Sequence, residues 1–275
     1  MGQIDLLEQN QWIPQETWMA PSPDPDAPLY MEIANELRMR IANGDLPAGA
    51  AVPTEQALVD QYKVSRNTIR NALRELSSQG LITSGQGRTG RRVRNNRPIT
   101  FHGSQSESID RADERRVTGV DAWVADVREE GREPSQTIAA EIVNASAAIA
   151  RCLAIDEGTP VVARRRLRTV DGEPHNLADT YYPLDIAEGT PIMYPDDVAQ
   201  GVIALMREMG YVQVRYRDEL SWRMPTPKEI RTLDIPVGIP VLVQARTGYT
   251  KERPVKVTVT TWPGDRARMV YELPA

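Results

Sequence analysis

The 275-residue sequence predicts an α+β protein in two parts, a small basic helical unit followed by a larger antiparallel sheet carrying helices. Three observations predict it. From Ser65 onward, apolar residues recur at Ile69, Ala72, Leu73 and Leu76, the spacing of a half-buried helix, with Arg66, Asn67, Arg70, Asn71 and Arg74 turned away. Positive charge is local: residues 28–97 carry eleven Lys/Arg against six Asp/Glu, whereas residues 1–27 carry five acids and no Lys or Arg. Finally, residues 153–161 (LAIDEGTPV) and 233–241 (LDIPVGIPV) share five of nine residues, an internal repeat displaced by 80 positions.

The totals narrow the field. Hydrophobic residues at 40% and charged residues at 26% are ordinary for a globular protein, and the net charge is −5. No apolar run approaches the roughly 18 residues needed to span a bilayer. The acidic start MGQIDLLEQN lacks the basic region of a signal peptide, so a cytoplasmic location and no membrane partner are expected. Cys152 is the sole cysteine and His102 and His175 the sole histidines, which rules out an intrachain disulfide and a Cys/His zinc cluster; no cofactor is expected.

Taken in order, residues 1–27 hold Trp12 and Trp18 and lead through PSPDPDAP, an extended run set by proline; the tryptophans belong either to a loose tail or to a segment docked on the body. Tyr30, Ile33, Ala34, Leu37 and Ile41 then form an apolar stripe that Gly44 ends. Thr54 caps a shorter helix, through Gln61, that buries Ala57, Leu58 and Tyr62. Lys63-Val64 form a tight link into a helix with Ser65 as N-cap and Gly80 as its stop. Two helices joined so briefly suggest a helix-turn-helix, whose second helix lies in the major groove of DNA; a helical hairpin with a solvated basic face is the alternative. Residues 81–83 and 91–94 read as two short strands around Gly85-Gln86-Gly87-Arg88-Thr89-Gly90. That GxGxxG has no helix after it, so it reads as the tip of a wing rather than a nucleotide loop. Arg88, Arg91, Arg92, Arg94 and Arg97 suit phosphate or minor-groove contact.

The domain boundaries expected are an acidic extension at 1–27, the helix-turn-helix with its wing at 28–95, a polar linker at 96–114 and a second domain at 115–275. In the second domain, residues 139–143 and 161–170 are strand candidates flanking a helix-forming stretch at 145–153. Asp171-Gly172 signals a hairpin returning through 176–182. Asp196 is placed to cap a helix bearing Val198, Val202, Leu205, Met206 and Met209, stopped by Gly210. A strand at 211–223 precedes a short helix starting at Thr226-Pro227. The repeat offset also pairs Arg151 with Arg231, Arg166 with Arg246, Pro174 with Pro254, Thr180 with Thr260 and Pro183 with Pro263. It predicts a helix-strand-turn-strand unit used twice, related by an approximate two-fold, with the strands in one antiparallel sheet and helices over one face.

Over residues 29–93 the sequence resembles the N-terminal domain of GntR-family transcription regulators, through GDLPAG, the VP-T-E lead into the second helix, VSRNTIRNAL and the QG turn of the wing. Over residues 117–273 it resembles the UTRA effector domain of the HutC-like subgroup, a fold related to chorismate lyase, through RLRTVDGEP, TYYP, MREMGY and LDIPVGIPVLVQARTGY. The resemblance implies a homodimeric regulator, a repressor of a palindromic double-stranded operator, modulated by a small anionic or phosphorylated effector. It assigns base contact to Arg66 and Arg70, supporting contact to Ser65, Asn67 and Thr68 with Thr54 at the preceding helix, and wing contact to Gly87 and Arg88. Another common arginine of the motif stands here as Gln56, whose amide pairs with adenine where a guanidinium prefers guanine. In relatives that bind phosphorylated sugars, two arginines hold the phosphate, and these map to Arg166 and Arg168, which alternation places on one face.

The family's usual acid on the return strand falls at Ala178, with Asp179 beside it. Tyr181 and Tyr249 are candidates for the same pocket or for the core, and a solvated, ion-paired strand is the alternative for residues 164–168. Two other readings stay open: a plasmid- or phage-type repressor whose UTRA domain serves dimerisation alone, and an enzyme of lyase-like fold, for which the sequence offers no placed nucleophile, metal cluster or acid–base pair.

Overall fold

The computed structural model describes residues 28–83, 90–94, 98–104, 122–198 and 200–273. Trp12 and Trp18, Gly87 and Arg88, Arg97 and most of the expected linker lie outside the described residues. The chain divides into two compact units, one holding Met1–Leu76 with Ser84–Val93, the other Ser77–Thr83 with Arg94–Ala275.

The first unit contains α1 (Leu29–Ala42), α2 (Glu55–Tyr62) and the start of α3 (Arg66–Ser78). Ile33, Ala34 and Leu37 from α1, Leu58 from α2, and Ile69, Ala72, Leu73 and Leu76 from α3 are all buried. Burying a Leu or Ile side chain is worth about 1.5–3 kcal/mol. Gly44 stops α1 at φ +83°, and Lys63 makes the α2–α3 turn in the left-handed region at φ 56°. Ala57 is exposed, against expectation: on so short a helix the buried row is Leu58 with the half-buried Tyr62, one turn apart, and Ala57 stands to the side. The return segment of the wing pairs with residues 49–52, a partner the sequence reading missed. Val93 donates to Ala50 (2.9 Å), Gly49 to Val93 (2.9 Å) and Val52 to Arg91 (2.8 Å).

The second unit is built on a six-stranded antiparallel sheet in the order β2-β3-β4-β7-β6-β5, comprising β2 (Pro134–Asn144), β3 (Pro160–Val170), β4 (Glu173–Pro183), β5 (Arg215–Arg223), β6 (Val241–Tyr249) and β7 (Pro254–Pro263). A separate parallel pair joins β1 (Ile99–His102) to β8 (Ala267–Val270). The helices are α4 (Ala122–Glu129), α5 (Ala147–Leu153), α6 (Leu184–Ala187), α7 (Val202–Glu208) and α8 (Pro227–Leu233).

The repeat governs this sheet. Each pairing of β5 with β6 and of β6 with β7 recurs in the first half with both partners moved back by 80: Val241 with Pro263 and Val161 with Pro183, Asp218 with Arg246 and Ile138 with Arg166. At the centre Asp179 pairs with Val259, its own counterpart, so the approximate two-fold passes between β4 and β7. Smaller features repeat as well. Bulges fall at Arg168/Thr169 and Gly248/Tyr249, and left-handed residues end the paired helices at Ala154 and Asp234.

The paired helices share one sheet face, as expected. Ile149 and Leu153 of α5 pack with Val161 and Val257, and Leu233 of α8 packs with Val241, Leu167 and Leu177. The other face is covered too: Ile186, Ile192 and Met206 close over Val162 and Tyr182. Several boundaries moved. β2 is longer than predicted, and α5 starts at Ala147 because Ala145 donates its amide to Thr159. Asp196 does not cap a helix; α7 begins after Gly201, and the Asp196 carbonyl accepts from Arg164 (2.8 Å). β5 starts at Arg215 rather than 211 because Tyr211 donates to Met206 and closes α7.

Candidate functional site

The first unit presents a polar surface built on the N-terminal half of α3. Ser65 accepts from the Thr68 amide (3.1 Å) and shares a hydrogen bond with the Thr68 hydroxyl (2.8 Å), so this helix start has its cap. Burial of Ile69, Ala72 and Leu73 fixes the helix rotation, which leaves Arg66, Asn67 and Arg70 exposed. Thr54 likewise accepts from the Ala57 amide (3.2 Å) and anchors the start of α2 beside them.

These side chains are held in place by α2. Arg70 donates to Glu55 (3.1 Å), and Arg91 from the wing donates to the other oxygen of the same carboxylate (3.2 Å). Partial burial pushes the Glu55 carboxyl up, but the two guanidinium groups outweigh it and hold it below the usual range. Arg66 donates to the Gln56 amide oxygen (3.3 Å), and Gln56 donates in turn to Asp60 (3.0 Å). Glu55 was not among the sequence-predicted site residues. Its signal was the VP-T-E lead into α2, where it stands one residue after the cap.

In the second unit, Arg164, Arg166 and Arg168 alternate onto one face of β3. Arg164 is fully buried and donates to the carbonyls of Ile192 (3.1 Å), Asp196 (2.8 Å) and Tyr194, tying down the segment that covers this face. Arg166 donates to the Thr180 hydroxyl (3.2 Å); Arg168 lies over the Trp123 ring (4.8 Å). Among the described residues, no carboxylate pairs with Arg166. Its counterpart Arg246 is saturated, by Asp218 (2.5 and 2.7 Å) and the Gly103 carbonyl. The position that Asp218 takes opposite Arg246 is Ile138 opposite Arg166.

Asp179 and Tyr181 point to the opposite face from Arg166 and Arg168. The Arg168/Thr169 bulge is the reason: below it Val170 pairs with Glu173, above it Arg168 pairs with Asn176, and the one-residue slip reverses the side chains of the return strand. Asp179 meets Arg165 there (2.6 Å), which also holds Glu141 (2.6 Å). Burial raises the Asp179 carboxyl despite that pairing. Tyr249 carries the Arg215 guanidinium over its ring (3.9 Å), away from the row. The structure therefore gathers Arg166 and Arg168 with Thr180, and separates them from Asp179, Tyr181 and Tyr249.

No described helix is long and apolar enough to cross a membrane. No group of three or more described His, Cys, Asp or Glu residues is placed to hold a metal ion.

Comparison with known proteins places both units. The profile of bacterial regulatory proteins of the gntR family matches residues 29–91, and that of the UTRA domain matches residues 129–268. The mannosyl-D-glycerate transport/metabolism system repressor MngR of Escherichia coli is 30% identical over 223 residues, covering 81% of this chain and 85% of that protein. An HTH-type transcriptional regulator of Streptomyces coelicolor is 30% identical over 236 residues, covering 82% and 85%. A crystal structure assigned to the GntR family of transcriptional regulators superposes with a TM-score of 0.57 at 27% identity, over 90% of this chain and 98% of that one. PhnF from Mycobacterium smegmatis shares the fold, with a TM-score of 0.50 at 21% identity, over 90% and 100%.

Proposed function

Because the chain belongs to the GntR family of bacterial transcription regulators, with a UTRA domain behind its helix-turn-helix, we propose that it is a cytoplasmic, homodimeric repressor that reads a palindromic operator and answers to a small anion. The observation that carries the DNA half is the exposed start of α3. Arg66 and Arg70 stand off the core with Gln56 and Glu55 behind them, in an orientation suited to guanine edges in the major groove, while Ser65, Asn67 and Thr68 sit at the helix entrance. Gln56 holds Arg66 through its amide oxygen and Asp60 through its amide nitrogen, and its second N–H and second lone pair suit an adenine edge. Thr54 sets the start of α2, and Gly87 and Arg88 complete the contact from the wing.

The effector half rests on Arg166. A guanidinium with no carboxylate partner among the described residues, in the same strand row as Arg168 and the segment-fastening Arg164, suits a phosphate or carboxylate ligand. Such a ligand releases or recruits DNA only through unequal affinity for two arrangements of the dimer.

Footprinting of DNA around the protein's own gene, with and without sugar phosphates, tests both halves. Arg70→Ala should weaken the operator by about 1–3 kcal/mol and relax its specificity. Arg74→Ala, further along the helix, should weaken specific and random duplex alike. Equal losses on both duplexes for the two variants would remove the assignment of base reading to Arg70. A protein that footprints normally but shows no thermal shift with any phosphorylated ligand would be a repressor whose UTRA domain only dimerises.

A further inference from the structure

We infer that the second copy of this chain docks along the free edge of β5, in an antiparallel pairing centred on Asp218; this rests on the homodimer reading and specifies where the dimer forms. β5 ends the sheet, and no described strand pairs with its outer edge. It also shows the apolar surface a partner would cover. Trp222 is 66% exposed, Met224 61% and Val214 53%, with an open apolar pocket of about 380 Å³ beside Trp222, Leu220 and Tyr271. The far edge of the sheet is different. β2 starts on Pro134, which has no amide to donate, and Ile142 is its one large exposed apolar residue among those described.

Charge complementarity selects both the partner and the register. In an antiparallel self-pairing that keeps hydrogen-bonding edges matched, the centre falls on a residue. Centred on Arg217, that arginine meets its own copy; centred on Glu219, Arg215 meets Arg223. Centred on Asp218, Arg217 meets the partner's Glu219, twice by symmetry; both side chains are exposed, and pairing across the axis replaces the contact the two make within the strand (3.4 Å). The same register sets Val214 against the partner's Trp222, Tyr216 against the partner's Leu220 and Val212 against the partner's Met224. Asp218 meets its own copy, but that charge is already answered by Arg246 (2.5 Å) and the Tyr271 hydroxyl (2.7 Å).

Sedimentation equilibrium of the full chain tests this. Arg217→Glu or Glu219→Arg alone turns two attractive pairs into two repulsive ones and should raise the dimer dissociation constant roughly tenfold or more. The combined Arg217→Glu/Glu219→Arg variant restores opposite charges across the axis and should return the constant to near its parent value, which also shows that the substituted chains fold. Both single variants dimerising as tightly as the parent would overturn docking at β5 and leave the homodimer standing. A monomeric parent would instead overturn the homodimer itself.

Discussion

The two halves of the sheet share register, bulges and helix stops, yet at corresponding positions Arg246 is locked between Asp218 and a carbonyl while Arg166 faces Ile138 and has a hydroxyl for company. The difference teaches which arginine the fold consumes. A buried guanidinium in the second half is part of the scaffold; its counterpart in the first half has no carboxylate partner among the described residues.

The largest effect should come from breaking the closed half. Arg246→Met leaves the Asp218 carboxylate partly buried without its cation and should cost about 3–5 kcal/mol in urea denaturation, whereas Arg166→Met should cost less than about 1 kcal/mol. Equal losses would mean that both arginines are structural. His175 comes next. Burial holds its imidazole down at about 4, although the Arg266 carbonyl accepts from its Nε2 (3.0 Å), and its counterpart in the other half is the buried Val255. Since the unfolded chain takes the proton first, this stability is whole above pH 6.5 and is lost as pH falls toward 4, by roughly 3 kcal/mol in all. His175→Val should flatten the stability curve across that window.

A subtler test copies the closed half into the open one. Ile138→Asp sets a carboxylate opposite Arg166, as Asp218 stands opposite Arg246, and should weaken phosphate or sugar-phosphate binding roughly tenfold in a thermal-shift titration while the chain still folds. The smallest effect concerns the paired helices. Thr226 and Glu229 form a capping box at α8, with Glu229 drawn down to about 2 chiefly by Arg223, whereas Ser146 at α5 makes no side-chain cap bond. Thr226→Ala should therefore cost about 1 kcal/mol and Ser146→Ala only a few tenths, read from thermal melts.

Much of this was legible in the chain. The α3 stripe, its cap and the 80-residue offset are local or periodic signals, and each appears in the structure where the residues put it. Pairing across long separations was not. Nothing near Ile99 announces a parallel partner at Ala267, and nothing near Ala50 announces the wing's return segment. The arginine row of β3 shows the intermediate case. Alternation correctly put Arg166 and Arg168 together, but a bulge one residue wide decided that Asp179 and Tyr181 lie behind the sheet, and a bulge leaves little trace in composition.

The Glu55 clasp on Arg70 and Arg91 has a consequence for how such a protein hunts along a chromosome. Two of its cations are engaged at home, so, with Arg70 and Arg91 as the DNA contacts proposed above, a stretch of arbitrary phosphates would have to compete with an internal carboxylate before gaining them. On that proposal only a site offering Arg70 a well-placed base edge would repay the exchange in full, and the molecule would spend correspondingly less of its time stranded on the wrong DNA.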